Sequence, residues 1–237
     1  MSQKINRRNV ITSALGIGLG FGLTTLGNAE EAAEESKEKK PRRARKPEST
    51  VWKYVPIDPE PAAQKAYEYY KEHGCMFGLV KAAILAYADA VESVDPDQAE
   101  TCRQFPFGVF KYGRTGYGGQ ESLCGAINGA GFFMSLFIES PADLYPLQKK
   151  LTDFYKETPL PTFIPETDIA PNFAKATSGS VLCKDSVGAW LALSDAPEHK
   201  QLRSERCKRL TSSVLVYTIQ LLNEFFAQNE ESRAFSN

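Results

Sequence analysis

The sequence predicts an all-α protein, with a compact multi-helix domain after an N-terminal signal and a disordered linker. Three observations lead to this prediction. Apolar residues recur at helical spacing in several segments, and prolines stand where helices would begin. No convincing run of residues alternates between apolar and polar as a half-buried strand does. The 237 residues, 42% hydrophobic and 24% charged, are enough for one good-sized globular domain.

The charge balance and the counts of two residue types narrow the function. There are 28 Lys and Arg residues against 29 Asp and Glu, so we predict no nucleic-acid partner. Two histidines exclude a three-histidine zinc enzyme within one chain. Five cysteines are too few for a disulfide scaffold. No catalytic acid–base set is visible, which favours a non-enzymatic protein over an enzyme.

Residues 1–29 have the three-part layout of a signal peptide. The first nine residues are basic, with the adjacent pair Arg7-Arg8, and residues 10–26 are apolar and rich in glycine. Small residues then allow a cut after Ala29. The arginine pair resembles the twin-arginine (Tat) signal. This segment predicts a periplasmic or otherwise exported protein that engages the Tat translocase, or a membrane-anchored one if the signal is not cleaved.

Residues 30–50 form a charged linker, acidic in its first half and basic in its second. The segment has no large apolar residue, so it cannot contribute to a core and we expect it to be disordered. The helical domain therefore occupies residues 51–237.

The first half of this domain reads as three helices and a loop. Pro61 is typical of a first turn, and it opens a helix over 61–73. Residues 75–93 carry an apolar stripe at helical spacing. A shorter helix spans 96–102 and again begins at a proline. The five glycines of residues 105–120 predict a loop with unusual backbone freedom.

The second half reads as four more helices. Small residues followed by phenylalanines predict a helix over 121–138. Another proline opens a helix over 141–156. Four prolines then make 157–178 an irregular connection. A serine cap predicts a helix over 180–193, and the apolar spacing predicts the longest helix over 204–227.

Four of the five cysteines share one context, since each begins, or nearly begins, an apolar helical stripe. A thiol in the first turn of a helix meets free backbone N–H groups and the positive end of the helix dipole, and both favour the thiolate. Four such thiolates that converge would make a metal or cluster site. These cysteines are Cys75, Cys124, Cys183 and Cys207. Cys102 lacks the context, and we interpret it as a spare thiol, with a resolving role in disulfide exchange as the alternative.

The string Cys-Gly-Ala-Ile-Asn-Gly over 124–129 is the most specific in the chain. Gly125 and Gly129 leave little side-chain volume on one part of the helix. Another backbone, or a bulky inorganic group, can therefore approach closely. Two interpretations stay open: the glycines make room for a bound cofactor, or they allow tight helix packing around an ordinary buried cysteine.

The CGAxxG string, with one cysteine before it and two after it, resembles the redox-active protein family named for the pattern C-GCAxxG-C-C. The resemblance implies that Cys75, Cys124, Cys183 and Cys207 are the hallmark cysteines and that the domain is a redox domain. It also implies that the chain could form a homodimer, as members of the family could. The chain departs from family members that carry covalent haem, because it contains no C-x-x-C-H and no C-x-x-C.

Four cysteines favour an iron–sulfur cluster, [2Fe–2S] or [4Fe–4S], since such clusters are held by thiolates. Zinc is the alternative, because a tetrahedral set of four sulfurs serves either metal. One-electron transfer with an unknown redox partner protein would follow, so the chain would be a non-enzymatic electron carrier, or an oxidoreductase if it is an enzyme. The competing class is a thiol–disulfide or disulfide-stapled protein with the pairs Cys75–Cys124 and Cys183–Cys207. His73 could ligate a metal, but a helix-end role near the dipole is the preferred interpretation.

Overall fold

The computed structural model describes residues 51–234, and the predicted all-α fold is confirmed for them. Of these residues 65% are helical and none forms a named strand. The eight α-helices and one 3₁₀ helix, in chain order, are α1 (Pro59–His73), α2 (Cys75–Val91), α3 (Pro96–Arg103), the 3₁₀ helix (Phe107–Gly113), α4 (Gly125–Ser135), α5 (Pro141–Glu157), α6 (Cys183–Leu191), α7 (Pro197–Gln201) and α8 (Arg203–Ala234). The signal over 1–29 and the linker over 30–50 lie outside the described residues and stay predictions.

Several helix starts follow from local chemistry. The carboxylate of Asp58 accepts a hydrogen bond from the backbone N–H of Glu60 at the start of α1, at 3.1 Å. Asp95 does the same for Gln98 in α3, at 2.9 Å. Each of these helices also has a proline in its first turn. These side chains satisfy N–H groups that have no partner inside the helix.

Three local predictions are wrong. The glycine-rich loop contains the 3₁₀ helix, because Phe110 is buried and anchors that segment to the core. Helix α6 begins at Cys183 rather than at Ser180, whose hydroxyl instead accepts from the backbone N–H of Leu182. The short α7 was not predicted. Its His199 is stacked on Trp190, with the two ring centroids 3.8 Å apart.

Helix α2 lies at the centre of the domain and packs against α1, α3, α4, α8 and the 3₁₀ helix. Its Leu79, Ala83 and Ile84 are fully buried. Burying a leucine or isoleucine side chain stabilises a fold by about 1.5–3 kcal/mol. Gly78 allows α1 to come close, because a Cβ atom there would lie 2.8 Å from the backbone nitrogen of Tyr70. The first residue of this central helix is Cys75, so the core fixes the position of that thiol.

No helix within residues 51–234 is long and apolar enough to cross a bilayer.

Candidate metal centre

The four cysteines singled out in the sequence border one cavity of about 190 Å³. They come from four different helices: Cys75 opens α2, Cys124 caps α4, Cys183 opens α6, and Cys207 is in α8. The first three thiols are buried and that of Cys207 is partly exposed. Cys207 is the fifth residue of its helix, one residue further in than in the predicted helix over 204–227. Four cysteines that are distant in sequence therefore border one cavity.

Cys102 lies outside this group. It is buried in α3, where the side-chain amide of Gln98 donates a hydrogen bond to its sulfur at 3.3 Å. All five cysteines are free thiols in the described chain, so the structure contains neither of the two disulfides considered above.

The chain segments that precede α4 and α6 are paired with each other. Leu123 and Leu182 form an antiparallel bridge. The backbone N–H of Cys124 donates to the carbonyl of Val181 at 2.9 Å, and that of Cys183 donates to Ser122 at 2.6 Å. This short ladder places the two helix starts side by side, so Cys124 and Cys183 reach the same cavity.

Glycines bring Cys75 against the start of α4. Gly74 separates α1 from α2 with a φ of 89°, a conformation that side-chain-bearing residues rarely adopt. A Cβ atom on Gly125 would lie 2.5 Å from the Sγ of Cys75, so only glycine leaves room for this thiol. A Cβ atom on Gly129 would lie 3.0 Å from Val80 of α2. The space beside Gly129 is therefore occupied by a neighbouring helix, and contact of either glycine with a cofactor stays a prediction.

The surroundings of Cys124 favour its thiolate form. Its pKa is lowered to about 6, first because the thiol of Cys75 donates a hydrogen bond to its thiolate. The hydroxyl of Tyr155, the backbone N–H of Ala126 and the charge of Arg206 act in the same direction, and together these effects outweigh burial. The pKa of Cys75 is raised well above its usual value by the same hydrogen bond, by burial and by the neighbouring thiolates.

The surroundings of Cys183 oppose its ionisation. Burial, and then the negative charges of Cys124 and Cys207, raise the pKa of Cys183 to about 12. Several thiolates around one cavity repel one another, so a single proton loss makes the next one costly. A bound cation relieves this repulsion and makes full deprotonation favourable. The chemistry of this donor set therefore fits a metal.

The sequence analysis missed Arg206 and Tyr155, which also line the cavity. The Arg206 guanidinium is 2% exposed. It donates to the carbonyl of Ser186 at 3.0 Å, and one of its N–H groups lies 3.8 Å from the sulfur of Cys207. Its Nε, and the buried hydroxyl of Tyr155, have no hydrogen-bond partner of ordinary geometry in the described structure. Arg206 is adjacent to Cys207 in sequence, but no spacing signal marks Tyr155.

The two histidines lie away from this cavity. The rings of His73 and Phe77 are in an edge-to-face contact, with their centroids 4.8 Å apart. A ring nitrogen of His199 is 2.9 Å from the carbonyl oxygen of Trp190. Within residues 51–234, no group of three or more His, Cys, Asp or Glu side chains is arranged to hold a single metal ion. The four thiols border a cavity without meeting at one point.

Comparison with known protein families gives a match over residues 81–221, to the family described as "Putative redox-active protein (C_GCAxxG_C_C)". The chain belongs to this family. The matched range contains Cys124, Cys183 and Cys207, whereas Cys75 precedes it by six residues. The family name places a glycine before the cysteine of its central string, and this chain has Cys124 before Gly125.

A cytochrome is similar to this chain in both sequence and structure. The split-Soret cytochrome c of Desulfovibrio desulfuricans is 28% identical over 236 residues, which are 97% of this chain and 82% of the relative. A solved structure, described as a novel iron centre in the split-Soret cytochrome c from Desulfovibrio desulfuricans ATCC 27774, superposes with a TM-score of 0.64 at 30% identity. The superposition covers 75% of this chain and 72% of that one.

These relatives correct the cofactor prediction. An iron–sulfur cluster, with zinc as the alternative, is wrong as predicted, because the relative is a cytochrome with an iron centre described as novel. The physical reason is that four thiols suit several metals and several kinds of centre. The number and order of cysteines therefore indicated a metal site without fixing what it holds.

Covalently attached haem does not fit this chain. Attachment of a c-type haem uses C-x-x-C-H, and the sequence contains no two cysteines at that spacing. His73 and His199 are also engaged elsewhere, with Phe77 and Trp190.

Proposed function

We propose that this chain is an exported redox protein that holds iron in the cavity bordered by Cys75, Cys124, Cys183 and Cys207, and that it exchanges single electrons with a partner protein. The observation that carries the proposal is that four thiols from four helices border one cavity. The family description and the iron centre of the relative support redox and metal-binding chemistry.

The residues around the cavity have distinct roles in this proposal. Iron in thiolate ligation supplies the one-electron chemistry. Cys124, with its lowered pKa, is the first thiolate available to a cation. The buried guanidinium of Arg206 balances the negative charge of the ligands. The hydroxyl of Tyr155 is placed to donate a hydrogen bond to the Cys124 sulfur, and such contacts tune a metal centre.

The test is a metal analysis of the full chain purified without air. We expect iron in the protein and a visible absorption that changes on reduction. Cys124→Ser should lose most of the iron, and Cys102→Ser should keep it, because Cys102 lies outside the cavity. Absence of iron from the unsubstituted chain, or equal iron in the two variants, would contradict the proposal.

A second candidate function is thiol–disulfide exchange, and the pairing of Cys75 with Cys124 favours it. A thiolate of pKa about 6 beside a protonated thiol resembles the reactive pair of a disulfide oxidoreductase. Counting free thiols by alkylation and intact mass, before and after reductant, separates the two functions. A reversible loss of two thiols, removed by Cys75→Ser, would support exchange.

Export rests on the sequence pattern alone. The Arg7-Arg8 pair, the apolar stretch after it and the small residues up to Ala29 support a Tat route. The Tat route carries proteins that are already folded. An iron centre inserted before export would therefore explain why this chain uses that route.

A further inference from the structure

The cysteine cavity reaches the protein surface through a basic wall. Of the residues that line it, Arg114, Arg203 and Ser204 are exposed, while the cysteine side of the cavity is buried or half-buried. The exposed side of the cavity is therefore lined by two arginine side chains.

A second cavity of about 290 Å³ continues outward from the first. The two share Tyr70, Arg114 and Ser204, and the outer one adds Lys71 and Lys208. No carboxylate lines the outer cavity. We call the four cations around the opening the basic rim: Lys71, Arg114, Arg203 and Lys208.

The basic rim keeps a positive charge after its ion pairs are counted. Arg203 pairs with Glu121 at 3.6 Å, with both side chains nearly half exposed, and such pairs contribute little. Lys208 is 3.2 Å from Glu205, which also pairs with the buried Arg209. Among residues 51–234, no carboxylate lies within ion-pair distance of Lys71 or Arg114.

Arg114 is held in place rather than loosely tethered. A Cβ atom on Gly74 would lie 2.8 Å from the Cγ of Arg114, so the arginine stem rests on the glycine that separates α1 from α2. The loop that follows Arg114 has positive φ values at Thr115, Tyr117 and Glu121. Backbone of this kind persists only where the surrounding structure fixes it, and it is concentrated at functional sites.

We propose that the basic rim is the docking surface for an acidic face of the protein that exchanges electrons with the centre. This inference rests on the proposed function. The chain has a net charge of −1, so a positive patch at the cavity opening is a local feature that would steer an acidic partner to it. Tyr112 and Tyr117, 46% and 67% exposed, lie in and just after the 3₁₀ helix and flank Arg114 in sequence. Exposed aromatic and arginine side chains are typical of protein interfaces.

The first experiment measures how fast the reduced, iron-containing protein is oxidised by two small probes of opposite charge. Ferricyanide is an anion and hexaammineruthenium(III) is a cation, and each accepts one electron. In Lys71→Glu/Arg114→Glu we expect the rate with ferricyanide at low salt to fall about tenfold and the rate with ruthenium to rise. Both changes should shrink at about 0.5 M salt, where charges are screened within a few ångströms.

A matched control makes the same change in net charge at surface positions away from the basic rim. Lys150 and Lys175 are exposed and line neither cavity, so Lys150→Glu/Lys175→Glu alters the net charge equally. This control should leave both rates within about twofold of the unsubstituted protein. Equal effects of the two double variants would overturn the proposal, since a global charge effect would then suffice.

The second experiment does not depend on iron. Binding of poly-L-glutamate to the full chain is measured by calorimetry, with poly-L-lysine and inorganic phosphate as comparison probes. We expect poly-L-glutamate to bind at low salt and to bind at least tenfold more weakly to Lys71→Glu/Arg114→Glu. Tight binding of phosphate without binding of poly-L-glutamate would overturn the proposal in favour of a small-anion site. If the purified protein contains no iron but binds poly-L-glutamate through the basic rim, the docking surface is supported and the proposed function is contradicted.

Discussion

At the scale of the single residue, the cysteine cavity depends on glycines, which have no side chain to fill the space beside them. Gly125 leaves the room that the sulfur of Cys75 occupies, and Gly74 leaves the room for the stem of Arg114. The two cysteines at this point differ in pKa because the thiol of one donates its proton toward the thiolate of the other. Small residues next to the thiols therefore set both the packing and the chemistry.

Gly125→Ala should destabilise the domain by about 1–3 kcal/mol, because overpacking a buried contact costs this much. Its Cβ atom would lie 2.5 Å from the sulfur of Cys75, so iron content should fall as well. Chemical denaturation and elemental analysis measure the two effects. Gly188→Ala in α6 is the control. No atom lies within 4 Å of its Cβ position, and we expect a gain of about 0.5–1 kcal/mol. A Gly125→Ala protein as stable and as rich in iron as the unsubstituted chain would contradict the close contact.

At the scale of the element, the first turns of α8 are fixed by a buried charge network. Glu205 is 4% exposed, and it accepts hydrogen bonds from Tyr67 at 2.8 Å and from Arg209 at 2.9 Å. Arg209 also pairs with Asp168 at 2.6 Å, which ties the irregular connection before α6 to α8. The network holds the part of α8 that carries Cys207.

Glu205→Gln should lower the free energy of unfolding by about 2 kcal/mol at pH 7, because it removes one of the two carboxylates that pair with the buried Arg209. The effect should depend on pH. Burial raises the pKa of Glu205, but its hydrogen bonds with Arg209, Tyr67 and Lys208 outweigh burial and lower it below the usual 4.5. The carboxylate thus stabilises the fold above that value, and this contribution is lost as the pH falls through the lowered pKa.

Urea unfolding between pH 3 and pH 8 measures this difference. The difference in free energy of unfolding between Glu205→Gln and the unsubstituted chain should be largest at neutral pH. It should become smaller below about pH 4. Glu68→Gln is the control, since the exposed pair of Glu68 with Lys65 contributes about 0–1 kcal/mol. A gap that does not change with pH would contradict the assigned role of the Glu205 charge.

At the scale of the whole molecule, the chain joins a helical redox domain to an N-terminal segment with the features of an export signal. Residues 51–234 account for the cavity and its basic rim. Residues 1–50 lie outside the described structure, so their assignment depends on sequence pattern alone.

Replacing the arginine pair by lysines, Arg7→Lys/Arg8→Lys, should stop export while keeping the positive charge, because the Tat route recognises the arginines themselves. Cell fractionation in a bacterium with a Tat system checks this. The unsubstituted chain should appear in the periplasm with Glu30 as its first residue. Periplasmic accumulation of the lysine variant would contradict a Tat signal and favour another export route.

The sequence by itself determined the all-α class, most helix positions and the identity of the four special cysteines. These depend on local chemistry: apolar spacing, prolines in first turns, and a cysteine beside small residues. The tertiary structure alone decided that the four thiols share one cavity, since the bridge between Leu123 and Leu182 joins segments about sixty residues apart. It also showed that Arg206 and Tyr155 line this cavity. The sequence could not predict this, because the residues that surround a buried side chain are distant from it along the chain. The nature of the metal centre followed from neither the cysteine count nor its pattern, since thiolate sulfur accepts several metals on similar terms.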